Sequence, residues 1–401
     1  MAISTKRDLV EKALAASNGI LSLKPAWVAR DFLPPGYRLG LKEADYAVGE
    51  RGWISERWLA STTKADNRVG PPDEGLSKIV LADGSEMTLS EAVEAAGDLI
   101  MGAEYARTHS GLGRLAKIYD FADRIPYHIH QMQKHAALVG RNPKEEAYYF
   151  PEGVDMGAHP ETFFGVHPYI VEQKKFDVLL PHLVDWKDDL ILRHSRAYLN
   201  VPGEGFHLPS GVLHAPGTAL TIELQEASDV FAMLQALVAG KIISKELLFK
   251  DVRPEDRAAY GERIILEHIN WEVSGDPFFY ENRHTPPVLI EDTRQPGGEE
   301  YWIYYNTTKF SGKKLVVKPG QRFTSQDRGV YNILVWKGEG RYDGHPIQAG
   351  NFERDELLVS HAKATVPIVV ENTGKDDLVI IKFFGPDINL DVPMIPRYPS
   401  A

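Results

Sequence analysis

The chain has 401 residues, more than one compact core usually organises, so two or more domains are expected. Its 45 basic and 56 acidic residues leave a net charge of −11, which argues against a sequence-independent grip on nucleic acid or an anionic membrane. There is no cysteine, so disulfides, thiolate zinc sites and cysteine nucleophiles are excluded and any metal must be held by His, Asp, Glu, Gln or water.

The opening run MAISTKRDLVEKALAASNGI lacks the apolar stretch of a signal peptide, and no run of about 18 apolar residues follows, so a cytoplasmic protein is expected. Residues 5–20 read as an amphipathic helix stopped by Asn18-Gly19. Residues 34–75, rich in Gly, Pro and charge, read as loops and irregular strands. Thr88 and Glu91 form a capping box that opens a helix carrying Leu89, Ala92, Val93, Ala96 and Leu99. From about 112 the pattern becomes β, with strands joined by Gly/Pro turns as far as the run ending in Gln225. Residues 227–250 read as helix, because Val230, Met233, Leu234, Leu237 and Val238 recur at helical spacing. Residues 300–388 return to β.

The chemistry concentrates in three short segments. Tyr127-His128-Ile129-His130 places two imidazoles at i and i+2 of a strand, on one face, where they can share a divalent ion. Lys144-Glu145-Glu146 opens the next strand; the two glutamates face opposite sides, and Lys144 shares the face of Glu146. Pro209-Ser210-Gly211-Val212-Leu213-His214 is a turn that lifts a third histidine onto a strand.

Taken together, these segments resemble type I mannose-6-phosphate isomerases, a family of cupins with Q-x-H, K-x-E, P-x-G-x-x-H-A and E-x-x-x-x-S-D motifs. Here those read His128-Ile129-His130, Lys144-Glu145-Glu146, Pro209 through Ala215, and Glu223 through Ser228-Asp229. Weaker echoes lie at Glu56-Arg57-Trp58-Leu59-Ala60-Ser61 and Leu81-Ala82-Asp83-Gly84.

The resemblance implies a mainly β fold, a double cupin of two jelly-roll barrels with N-terminal and inter-barrel helices. The expected divisions are N-terminal segments packed on the first barrel (1–110), a metal-binding barrel (111–226), a helical connection (227–270) and a metal-free second barrel (271–401). It also implies one divalent metal ion, zinc first and Mn, Fe or Ni next, on His128, His130, Glu146 and His214. The K-x-E spacing favours Glu146 over Glu145. Lys144 and Glu223 are the candidate catalytic residues. The implied partner is a small carbohydrate, and the implied activity is aldose–ketose isomerisation of a sugar or sugar phosphate through an enediolate. The alternatives are a metal-dependent cupin dioxygenase and a non-catalytic sugar-binding cupin.

The chain departs from the family at two points. His128 replaces a ligating Gln, which makes the donor set richer in nitrogen. The run Val230-Phe231-Ala232-Met233-Leu234-Gln235 directly after Ser228-Asp229 holds no arginine, which weakens the case for a phosphorylated substrate. Arg193 and Arg196 are the nearest basic candidates; His135, His159 and His167 are expected outside the metal group.

Overall fold

Residues 5–399 are described in a computed structural model, which begins with the helix Lys6–Ala16. Thr5 accepts from the Asp8 N–H and Asp8 accepts from the Thr5 N–H, so two otherwise unpaired donors are satisfied. Thr88 and Glu91 cap the helix Leu89–Met101 in the same reciprocal way, as the sequence predicts.

The rest is mainly β and antiparallel, with the double cupin architecture. The first unit has two sheets. One runs, in spatial order, His284–Thr285, Gly205–Leu208, Glu146–Tyr149, Thr221–Glu226, Arg114–Tyr119, Trp53–Leu59 and Ala26–Arg30. The other runs Arg196–Leu199, Glu161–Phe164, His214–Ala215, His128–Ile129 and Ala232–Met233. The second unit pairs a nine-stranded sheet with a four-stranded one. Among the described residues no helix is long and apolar enough to cross a membrane.

Period-two alternation decides what each face of the seven-stranded sheet does. Ala116, Ile118, Ala147, Tyr149, Ile222 and Leu224 point outward and join Ile303, Tyr304, Phe310, Ile381 and Phe383 in one buried cluster between the units. Tyr304 Oη donates to Ile222 O at 2.9 Å across that joint, and Arg57 pairs with Asp355 through two 2.7 Å bonds. The intervening residues, Lys117, Tyr119, Glu146, Tyr148 and Glu223, therefore point into the first unit.

Three expectations differ from what is seen. Residues 34–75 include one regular strand, Trp53–Leu59, which is held in register by Ala26–Arg30 and Arg114–Tyr119. Residues 227–250 do not form the expected α-helix; only Lys245–Leu248 turns, as a short 3-10 helix. Ala232–Met233 completes the five-stranded sheet, and Leu237–Val238 pairs with Lys241–Ile242 around an Ala239-Gly240 turn whose φ values are 46° and 74°. Such a turn suits a tight hairpin and breaks a helix, while Gln235 accepts from the Tyr127 N–H and donates to Leu237 O to keep the run extended. The α-helices begin instead at Pro254.

The N-terminal 110 residues also divide between the two units. The strands at 26–30 and 53–59 extend the first unit's sheet. The helices Lys6–Ala16 and Leu89–Met101 share a core with the second unit, and Ile20–Lys24 pairs there with Glu356–Val359. Apolar Val10, Ala13, Ala92, Val93 and Ala96 are buried against that sheet rather than against the first barrel.

Candidate metal centre

His128 and His214 sit directly opposite each other on adjacent antiparallel strands, and His130 lies two residues beyond His128 on the same face. Their ring centroids are 4.0 to 5.1 Å apart, and all three side chains are buried. The turn before His214 depends on Gly211, whose φ is +82°. A Cβ there would lie 2.8 Å from Met132 Cγ, and the Gly211 N–H donates to His130 O at 2.7 Å. The turn is thus tied to one histidine while it delivers another.

Each Nδ1–H is spent on a backbone carbonyl: His128 on Pro126 O (2.7 Å), His130 on Val230 O (2.7 Å) and His214 on Val212 O (2.9 Å). That arrangement fixes the tautomer and leaves three Nε2 lone pairs converging. The buried His214 Nε2 has no hydrogen-bond partner. The three imidazoles form a group whose donor atoms lie within 4.8 Å of one another, and this donor set fits a divalent ion such as zinc.

Burial, reinforced by His214, holds His128 well below the usual histidine range; burial and Lys144 hold His130 near 3. Both rings are therefore neutral and able to donate to a metal at neutral pH.

Glu146 approaches from the facing sheet. Its two oxygens lie 3.0 Å from His130 Nε2 and 3.0 Å from His214 Nε2. Burial pushes its carboxyl up, but Lys144 outweighs this and keeps it ionised well below the ordinary range. Tyr148 donates a short hydrogen bond to the same carboxylate. Glu145 faces the other way, toward His207 at 2.9 Å and Thr307, as the alternation requires.

Lys144 and Glu223 complete the wall. Lys144 Nζ donates to Glu146 Oε2 (2.5 Å) and to His130 Nε2 (2.8 Å), and lies 3.1 Å from Glu223 Oε1. Burial and then Glu146 raise the Glu223 carboxyl to about 7, against the pull of Lys117 and Lys144. These residues line a cleft of about 490 Å³, part of it open to solvent, with Phe32, Phe121, Ile125, Phe231 and Met233 among the apolar lining.

Other sequence candidates stay outside. His135 packs on His268 at 4.0 Å, and His159 is half-buried beside Asp123. His167 sits at the N-terminus of the helix Pro168–Glu172. Arg193 is exposed, and Arg196 is used on Asp276 O and Ser274 O. Sequence reading missed Arg30, Lys117, Tyr119 and Tyr148 in the cleft wall. The only available signal was charge or hydroxyl at alternate positions of otherwise apolar strands, and for Arg30 nothing local points to a distant site.

Fold and donor group together define a double cupin with a buried site able to hold one divalent metal ion. The particular fold is that of type I mannose-6-phosphate isomerases. A mannose 6-phosphate isomerase from Bacillus subtilis superposes with a TM-score of 0.61 at 15% identity, over 91% of this chain and 99% of its own. A phosphomannose isomerase variant from Salmonella typhimurium gives 0.62 at 11% identity over 92% and 100%. A zinc-bound mannose 6-phosphate isomerase gives 0.61 at 11% identity over the same shares. No protein-family model matches the sequence, and no curated protein matches it.

Proposed function

We propose that this protein is a metal-dependent aldose–ketose isomerase acting on a sugar or sugar phosphate. One observation carries the reading: a three-histidine donor group shares a buried cleft with two proton-carrying side chains, Lys144 and Glu223, whose Nζ and Oε1 are 3.1 Å apart. The fold's use by mannose-6-phosphate isomerases supports it.

In this reading His128, His130, Glu146 and His214 hold one divalent ion, zinc in first place. When bound, the ion supplies Lewis acidity toward a sugar oxygen. The chain's own residues manage the protons. A proton leaves C2 of the aldose and one is delivered to C1, while a hydroxyl proton passes from O2 to O1, through an enediolate. Glu223, with a carboxyl near 7, is matched to taking and returning the carbon-bound proton at physiological pH. Lys144, fixed between Glu146 and Glu223, holds and relays the hydroxyl proton.

The test joins elemental analysis to a screen of free and phosphorylated aldoses for ketose formation. Stoichiometric metal, with conversion abolished by chelation and restored by zinc, is expected. Metal-loaded protein that converts none of them sinks the proposal.

A further inference from the structure

The charged groups of the cleft are already committed to one another. Arg30 donates to Glu56 at 2.7 Å and to Asn67 at 3.0 Å, and its Nη2 lies 3.3 Å from Asp229 Oδ1. Lys117 stands between Glu223 (3.4 Å) and Glu56 (3.7 Å). Lys144 is held by Glu146 and Glu223. Lys250, the next cation outward, bonds Asp66 at 3.0 Å and Asp251 at 3.1 Å.

A phosphate group needs donors that are free to meet its oxygens. Turning Arg30 toward one would take the main counterion from buried Glu56 and Asp229, which is unfavourable. The wall carries four carboxylates, Glu56, Glu146, Glu223 and Asp229, against three side-chain cations, so none of these cations is left over for an incoming dianion.

What remains unspent is of a different kind. Tyr119 Oη is buried in the wall and has no aligned hydrogen-bond partner, Thr221 being the polar side chain beside it. Its cross-strand neighbour Thr221 gives its own hydroxyl proton to Ala219 O at 2.9 Å. Burial, and then Glu223, hold the Tyr119 phenol well above its ordinary value, so it is a fixed neutral donor. Glu223 Oε1 likewise lacks an aligned hydrogen-bond donor, although two ammonium groups stand beside it. A hydroxyl and a carboxyl oxygen are partners for sugar hydroxyls, and Phe32, Phe121 and Phe231 offer apolar surface to the C–H faces of a ring.

We infer that the substrate is a neutral, unphosphorylated sugar whose hydroxyls are bound by Tyr119 Oη and Glu223; this rests on the isomerase reading above.

The experiment uses zinc-loaded full-length protein, titrated calorimetrically and assayed with a panel of free aldoses, their 6-phosphates and inorganic phosphate. Free aldoses should bind and convert at least about tenfold better in kcat/KM than their phosphates, and inorganic phosphate should not compete. Tyr119→Phe should raise KM roughly tenfold, the size of one lost hydrogen bond. Its melting temperature should hardly change, because the hydroxyl removed has no aligned partner in the free protein. A preference for the phosphorylated aldose, or competition by phosphate, overturns the inference and leaves the isomerase reading standing. Failure of every aldose to bind or convert overturns both. An unchanged KM in Tyr119→Phe removes Tyr119 from the assignment.

Discussion

Arg30 and Asp229 meet at 3.3 Å inside the cleft, although one ends an early strand and the other closes the Ser228-Asp229 motif. The run Val230–Gln235 directly after that motif holds no arginine, and the fold brings one from the strand Ala26–Arg30. It arrives shared with Glu56, so it serves as a buried counterion for two carboxylates.

Removing that counterion should cost more than removing one of its partners. Arg30→Met is expected to destabilise the protein by about 3–5 kcal/mol, since it strands two buried acids. Adding Glu56→Gln and Asp229→Asn to it should recover most of the loss. Chemical denaturation of the single and combined variants measures both. A single variant as stable as wild type would show that the ion pairs carry no stability.

Metal binding should depend on the three imidazoles individually. His128→Ala and His214→Ala are each expected to weaken zinc binding by more than about 100-fold, because loss of an outer-shell partner alone costs 10–100-fold. Competitive titration against a zinc chelator gives the number. Chelation should also lower the wild-type melting temperature and leave that of the variants unmoved. Two variants that retain stoichiometric zinc would move the site elsewhere.

Glu223→Gln keeps size and hydrogen bonding but cannot carry the proton. Ketose formation should fall by about 10²–10⁴ in kcat, the usual worth of a positioned acid or base. Zinc content should hardly change. A variant with near-normal kcat would transfer the proton role to Lys144.

The acid response should reside partly outside the cleft. His268 and His135 stack at 4.0 Å, and burial holds them near 3 and 4, with Lys134 adding to the depression and Asp256 opposing it. The unfolded chain takes up these protons near pH 6.5, before the folded protein does. Their stability contribution is therefore complete above about pH 6.5 and is lost as pH falls toward 3–4. His268→Phe should flatten that limb by up to about 1.4 kcal/mol per pH unit. Denaturation at pH 7, 6 and 5 tests this, and an unchanged slope would refute it.

The donor group was legible because it is local. His128-Ile129-His130 needs only period-two alternation, and Gly211 announces the turn before His214. Glu146 over Glu145 followed from the same alternation together with the family's K-x-E spacing. The Arg30 contribution was not legible, because strand pairing over two hundred positions is set by the whole sheet. The run 227–250 misled for a different reason. Val230, Met233, Leu234, Leu237 and Val238 fit helical spacing, yet the positive φ at Ala239-Gly240 and the two bonds of Gln235 require an extended path. Apolar spacing alone does not separate a buried helix from short buried strands.

The pairing of Ile20 with Val359 bears on how the chain comes to exist at all. During synthesis the strand Ile20–Lys24 leaves the ribosome with its partner still untranslated. At about 5–20 residues per second it waits roughly 20–70 s for the segment Glu356–Val359. Throughout that interval its apolar side chains, and those of the capped helix before it, need shelter from chance contacts. The second barrel thus closes around a strand made long before it, and removing either strand should leave the other without its partner.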